Sequence, residues 1–135
     1  MTQKKYKKIF VVDDDDEVNN FVTEKLLHQF DKEYEIVTYS NPFEAFEVLE
    51  KINHGGGYFP DMILLDINMP GMDGFEFLVK MKEYNLSEKI QVIMYSSSSQ
   101  QEDHVKAKSY DNVVGYLEKP FSAQAYGRIL DLSFR

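Results

Sequence analysis

The sequence predicts an α/β chain built as five βα units, a doubly wound parallel sheet of five strands with helices on both faces. Three observations predict it. Five short apolar runs recur along the chain: IFVV at 9–12, IVTY at 36–39, MILL at 62–65, VIMY at 92–95 and VVGYL at 113–117. Most are continuous rather than alternating, as in strands covered on both faces. The gaps between them carry apolar residues at helical spacing, and alternating strands and helices imply right-handed crossovers within one parallel sheet.

In chain order, the first run leads into a helix with Val18, Phe21, Val22 and Leu26 on one face. The second leads through Asn41-Pro42, an N-cap followed by proline at the first helical position, into a helix with Ala45, Val48, Leu49 and Ile52 inward. Gly55, Gly56 and Gly57 form a loop before the third strand, since they precede a strand and not a helix N-terminus. The third helix carries Phe75, Leu78 and Val79. The fourth, within 100–111, has only Val105, Ala107 and Tyr110 as apolar anchors. Pro120 and Ser122 separate the fifth strand from a last helix with Tyr126, Ile129, Leu130 and Phe134 inward.

At 135 residues the chain is expected to form one domain, taking about 150 residues per domain. Its 43% hydrophobic and 14% aromatic content supplies a real core and argues against disorder. Cysteine is absent, which excludes a disulfide framework, a thiolate metal site and cysteine catalysis, and fits a reducing cytoplasm. The net charge of −8 argues against a nucleic-acid duplex as partner. No apolar run has the length of a membrane span or signal segment, and Lys4, Lys5, Lys7 and Lys8 read as a solvated arm. The histidines, at 28, 54 and 104, are scattered and suggest no ligand set.

In a sheet of this kind ligands sit beyond the carboxyl ends of the strands. After the first strand come Asp13, Asp14, Asp15, Asp16 and Glu17; the third ends at Asp66; the fourth is followed by Ser96 to Ser99; the fifth ends at Lys119. Three carboxylates close together repel one another unless a cation neutralises them. Oxygen donors favour a hard ion, Mg²⁺ or Mn²⁺. One divalent ion with Lys119 offsets Asp13, Asp14 and Asp66, leaving a neutral site for an incoming phosphoryl group. Asp14 and Asp15 are the alternative acidic pair if the register slips by one. Asp15, Asp16 and Glu17 otherwise suit a helix N-terminus.

VVDD at 11–14, LLDINMPGMDG at 64–74, YSS at 95–97 and GYLEKPF at 115–121 together resemble the receiver domain of bacterial two-component response regulators, of the single-domain chemotaxis type. The resemblance covers roughly residues 7–132 and implies the flavodoxin-like strand order 2-1-3-4-5. It implies that Asp66 is the phosphoacceptor, attacking a phosphohistidine. Asp13, Asp14 and Asp66 would hold Mg²⁺ with the backbone carbonyl of Asn68. Ser96 would be the switch hydroxyl, with Ser97 left open as its rival. Tyr116 would be the switch aromatic, against the plainer reading of a half-buried strand residue, and Lys119 would pair with the phosphoryl group. Asn68 and Ser98 stand where the family tunes the lifetime of the phosphate.

The expected function is that of a stand-alone phosphoacceptor receiver, without an output domain and without substrate turnover. Its partners would be a sensor or hybrid histidine kinase or a histidine phosphotransfer protein. A downstream protein would bind the face of the fourth helix, fifth strand and fifth helix, roughly 100–134, with the chain a monomer or weak dimer. The main alternative is a receiver fold used for docking without phosphorylation. A dehalogenase-type phosphatase needs an acid two residues after the nucleophile, where Asn68 stands. A flavin phosphate would be repelled by the acids after strand one, and a calcium loop from Asp13 has Val18 where glycine is needed.

Overall fold

A computed structural model describes residues 8–13, 25, 35–96 and 101–118. The elements are β1 (Lys8–Val12), β2 (Glu35–Tyr39), α1 (Pro42–Asn53), β3 (Met62–Asp66), α2 (Gly74–Glu83), β4 (Gln91–Ser96), α3 (Gln101–Lys108) and β5 (Val113–Glu118). Each predicted strand is found with its ends extended by no more than a residue. Apart from Lys25, which is helical, the first predicted helix lies outside the described residues, as does the last.

The strands form one parallel sheet in the order β2-β1-β3-β4-β5. The central strand β3 is buried along its whole length, which explains the unbroken apolar run of its sequence. Its side chains split by parity. Ile63 and Leu65 join Phe10, Val12, Val92 and Met94 on one face, packed beneath α1, α2 and Ala107 of α3. Met62 and Leu64 join Ile9, Val11, Ile93, Tyr95 and Leu117 on the other.

The parity breaks once. Val92 pairs with Val113 but Ile93 pairs with Gly115, so Val114 is an extra residue opposite no partner. Glycine tolerates the distorted backbone of such a bulge. Before it, Val113 faces the α1–α3 layer and Val114 the other; after it, Tyr116 faces the α1–α3 layer and Leu117 the other.

Local chemistry sets the helix starts. The Asn41 side chain accepts from the backbone N–H of Phe43 at 2.8 Å and of Glu44 at 3.4 Å, with Pro42 in the first turn. Asn41→Ala should therefore lower stability by about 1 kcal/mol in urea melts, and an unchanged midpoint would refute this cap. At α2, Asp73 and Glu76 form a reciprocal capping box: Glu76 N–H donates to Asp73 at 2.8 Å, and Asp73 N–H to Glu76 at 3.3 Å. α1 ends in the glycine loop, where Gly55 and Gly57 take φ of 95° and 137°.

Two expected anchors are not anchors. Val105 is 62% exposed and Val79 44% exposed. α3 is held instead by buried Ala107 and by Tyr110 just beyond it, which stacks on Phe75 at 6.2 Å between centroids. Phe46 and Phe77, fully buried, are the large residues of the α1–α2 contact.

Candidate functional site

The site lies at the carboxyl rim of the three central strands. Val12 of β1 is paired with Leu65 of β3, so the residues that follow them, Asp13 and Asp66, leave the sheet side by side. Both are nearly enclosed, 2% and 3% exposed. The Asp13 N–H donates to the carbonyl of Tyr39 at 3.0 Å, which carries the β1–β2 ladder one step past the strand and fixes where Asp13 departs. Tyr39 itself rests edge-on against Phe10 at 5.1 Å, and burial, then the Glu44 charge, raises its phenol above the usual range.

β3 and β4 continue the pattern. Asp66 pairs with Tyr95, and Ser96, fully buried, is the last residue of β4 rather than the first of the following loop. Exposed Asn68 links the two strand ends. Its backbone N–H donates to Asp66 Oδ1 at 3.2 Å, and its Nδ2 donates to Ser96 Oγ at 3.4 Å. Asp66, Asn68 and Ser96 are thus brought together, 28 residues separating the last two. Tyr116 sits one strand over, paired with Met94 and half-buried against the α1–α3 layer. Asp14, Ser97, Ser98, Lys119 and Pro120 lie outside the described residues.

The loop between β3 and α2 is folded back by a bond from Gly74 N–H to the Ile67 carbonyl at 2.8 Å. This brings Gly74 so close that a Cβ there would collide with the Asp66 carbonyl oxygen and lie 2.9 Å from Ile67 Cα. Gly74 is therefore a residue of the site that reasoning from side-chain chemistry passes over. Its signal was the DGFE run at 73–76, a capping pattern with glycine at the first helical position. Gly74→Ala should displace the backbone at 66–68 and weaken Mg²⁺ binding at least several-fold in calorimetry. Wild-type affinity in a folded variant would show the approach to be relaxed at no cost.

Two carboxylates buried at neighbouring strand ends are costly as a pair of anions. The donors they offer are all oxygen, which suits a small hard cation and not a soft one. Among the described residues no group of three candidate metal ligands is found.

Over residues 9–130 the sequence matches the response regulator receiver domain family. The chain belongs to the response regulator receiver domain family. Among curated relatives, this receiver domain is 41% identical over 80 residues to the nitrate/nitrite response regulator protein NarL of Escherichia coli, covering 59% of this chain and 33% of NarL. It is 31% identical over 118 residues to the two-component response regulator-like PRR37 of Oryza sativa, covering 87% of this chain and 15% of that protein. The chain therefore spans a third or less of these two relatives. A two-component response regulator from Cytophaga hutchinsonii superposes with a TM-score of 0.84 at 28% identity, over 95% of this chain and 96% of that one. The chemotaxis protein CheY4 of Vibrio cholerae superposes with a TM-score of 0.73 at 25% identity, over 94% and 98%. The receiver fold, the strand order and a place in two-component signalling follow. Proteins of this family take a phosphoryl group on an aspartate, bind Mg²⁺ there, and act as signalling domains rather than turnover enzymes. No helix among the described residues is long and apolar enough to cross a membrane.

Proposed function

We propose that this chain is a phosphoacceptor receiver in which Asp66 takes a phosphoryl group from the phosphohistidine of a histidine kinase or a histidine phosphotransfer protein. The observation that carries this is the enclosed pair Asp13 and Asp66, tied through Asn68 to the buried hydroxyl of Ser96. An Asp66 carboxylate oxygen forms a bond to phosphorus as the P–N bond to the imidazole breaks, and the imidazole leaves. Positioning and charge neutralisation supply most of the catalysis in such a transfer. Asp13, Asp14 and Asp66, with the Asn68 carbonyl, would hold Mg²⁺, which when bound neutralises charge on the transferred oxygens.

Lys119 pairs with the phosphoryl oxygens on this reading, and Ser96 is the hydroxyl that turns to one of them. Ser96 already exchanges a hydrogen bond with Asn68, so its reorientation would release the Asn68 side chain. That movement, with a change in Tyr116, is the bistable element the new charge biases. We place signalling in phosphorylation-dependent protein binding on the face around α3, β5 and the residues up to 134, by a single receiver domain over residues 1–135 working in the cytoplasm as a monomer or weak dimer.

Intact-mass spectrometry after incubation with acetyl phosphate tests the reaction. A gain of one phosphoryl group, about 80 Da, is expected only with Mg²⁺. No gain with acetyl phosphate or with a phosphohistidine donor would leave a docking domain that keeps the fold without the chemistry.

A further inference from the structure

Tyr116 is not held by the core alone. The imidazole of His104, on α3, stacks on its ring with centroids 3.8 Å apart and planes 25° from parallel. His104 Nε2 is enclosed, lies 3.3 Å from Glu118 Oε1, and makes no hydrogen bond in this geometry. This nitrogen is within reach of the Glu118 carboxylate, which a small reorientation would let it use as an acceptor, so the imidazole is confined between that carboxylate and the face of the phenol. Among the described residues, Tyr116 and Glu118 of β5 lie against the imidazole, and Asp103 and Lys108 flank it along its own helix. Glu118 is half exposed, so water screens its share and the stack is the more specific contact.

We propose that His104 is a positioning residue for Tyr116: the stacked imidazole holds the phenol ring in its present orientation. This deepens the receiver function and rests on Tyr116 being its switch aromatic. A ring held in this way has to leave the imidazole before it can reorient, so the same degree of phosphorylation would produce a smaller response on the α3–β5 face than it would without the stack.

The test is nuclear magnetic resonance of the full chain with ring-labelled tyrosine, the Tyr116 signal being assigned by its loss in Tyr116→Phe. Spectra are taken at one pH on unphosphorylated protein. The wild-type Tyr116 signal should be displaced by the neighbouring ring, His104→Ala should abolish the displacement, and His104→Phe should restore it. An undisplaced wild-type signal, or one that His104→Ala leaves in place, overturns the proposal. No phosphoryl donor is present in this arm, so it stands or falls apart from the labelling of Asp66. In the phosphorylated protein, the Tyr116 signal should move further in His104→Ala than in the wild type, with His104→Phe returning to the wild-type movement. Equal movement in all three would overturn the regulatory consequence.

Discussion

Asp66→Asn will abolish phosphoryl labelling and leave the fold intact. The amide keeps the size of the carboxylate, and its Oδ1 can still accept the Asn68 N–H that now bonds to Asp66 at 3.2 Å. It cannot serve as the anionic nucleophile. It also removes one of two enclosed negative charges at adjacent strand ends. Without Mg²⁺ the variant should therefore melt no lower than the wild type, because repulsion and desolvation of that charge disappear together. With Mg²⁺ the wild type should gain more stability than the variant, since a ligand adds stability in proportion to how tightly it binds the native state. Mass spectrometry and paired thermal melts check all three statements. Labelling that survived the substitution would move the acceptor to another carboxylate of the rim, with Asp13 the first to examine. A large loss of stability without metal would mean that the carboxylate is a structural partner and that the site is built around its charge.

Phe46→Ala should be the most damaging substitution for the fold. Phe46 is 1% exposed, and its ring meets Phe77 edge-on at 5.5 Å and Tyr84 at 5.1 Å, with the Lys80 ammonium 4.6 Å above it. Truncation would open a cavity between α1 and α2 and strip two aromatic contacts and a cation–π contact at once. Losses of this kind cost roughly 3–5 kcal/mol, against a total stability of about 5–15 kcal/mol for a domain. Urea unfolding followed by far-ultraviolet circular dichroism should show the midpoint fall steeply with little change in slope. Phe46→Leu should recover a good part of the loss. A cost below about 1 kcal/mol would mean that the α1–α2 seam closes over the gap, which the dense packing of an interior argues against.

The architecture was legible because its signals are local and repeated. Five apolar runs and the punctuation of Asn41-Pro42 and the glycine loop identify the strands and α1 without knowledge of what they touch. The rim was legible because strand ends are where such sheets gather chemistry, and the structure places Asp13, Asp66 and Ser96 there, enclosed. What escaped the sequence depends on contacts between distant residues. Val105 reads as an inward residue by spacing, yet α3 is mostly polar and is seated by Ala107 and by Tyr110 beyond its end. The aromatic seam around Phe46 brings together residues more than thirty positions apart. His104 carried no pattern at all, since nothing in its neighbours foretells a ring from β5 lying against it. The bond between Asn68 and Ser96 likewise exists only once β3 and β4 are side by side.

The extra residue at Val114 has a further meaning for how this strand tolerates change. Substituting Val114 alters a packing contact, and removing it would close the bulge: Gly115 would follow Val113 opposite Ile93, and Tyr116 would keep Met94 as its partner and the α1–α3 layer as its face. Drawing Val114 into the ladder would instead turn the remainder of β5 over, with Tyr116 joining the layer of Ile9 and Val11 and Leu117 coming to lie under His104. The strand thus holds one residue in reserve: it can lose a position there without exchanging its faces, whereas admitting that residue to the ladder would silence the aromatic by inversion.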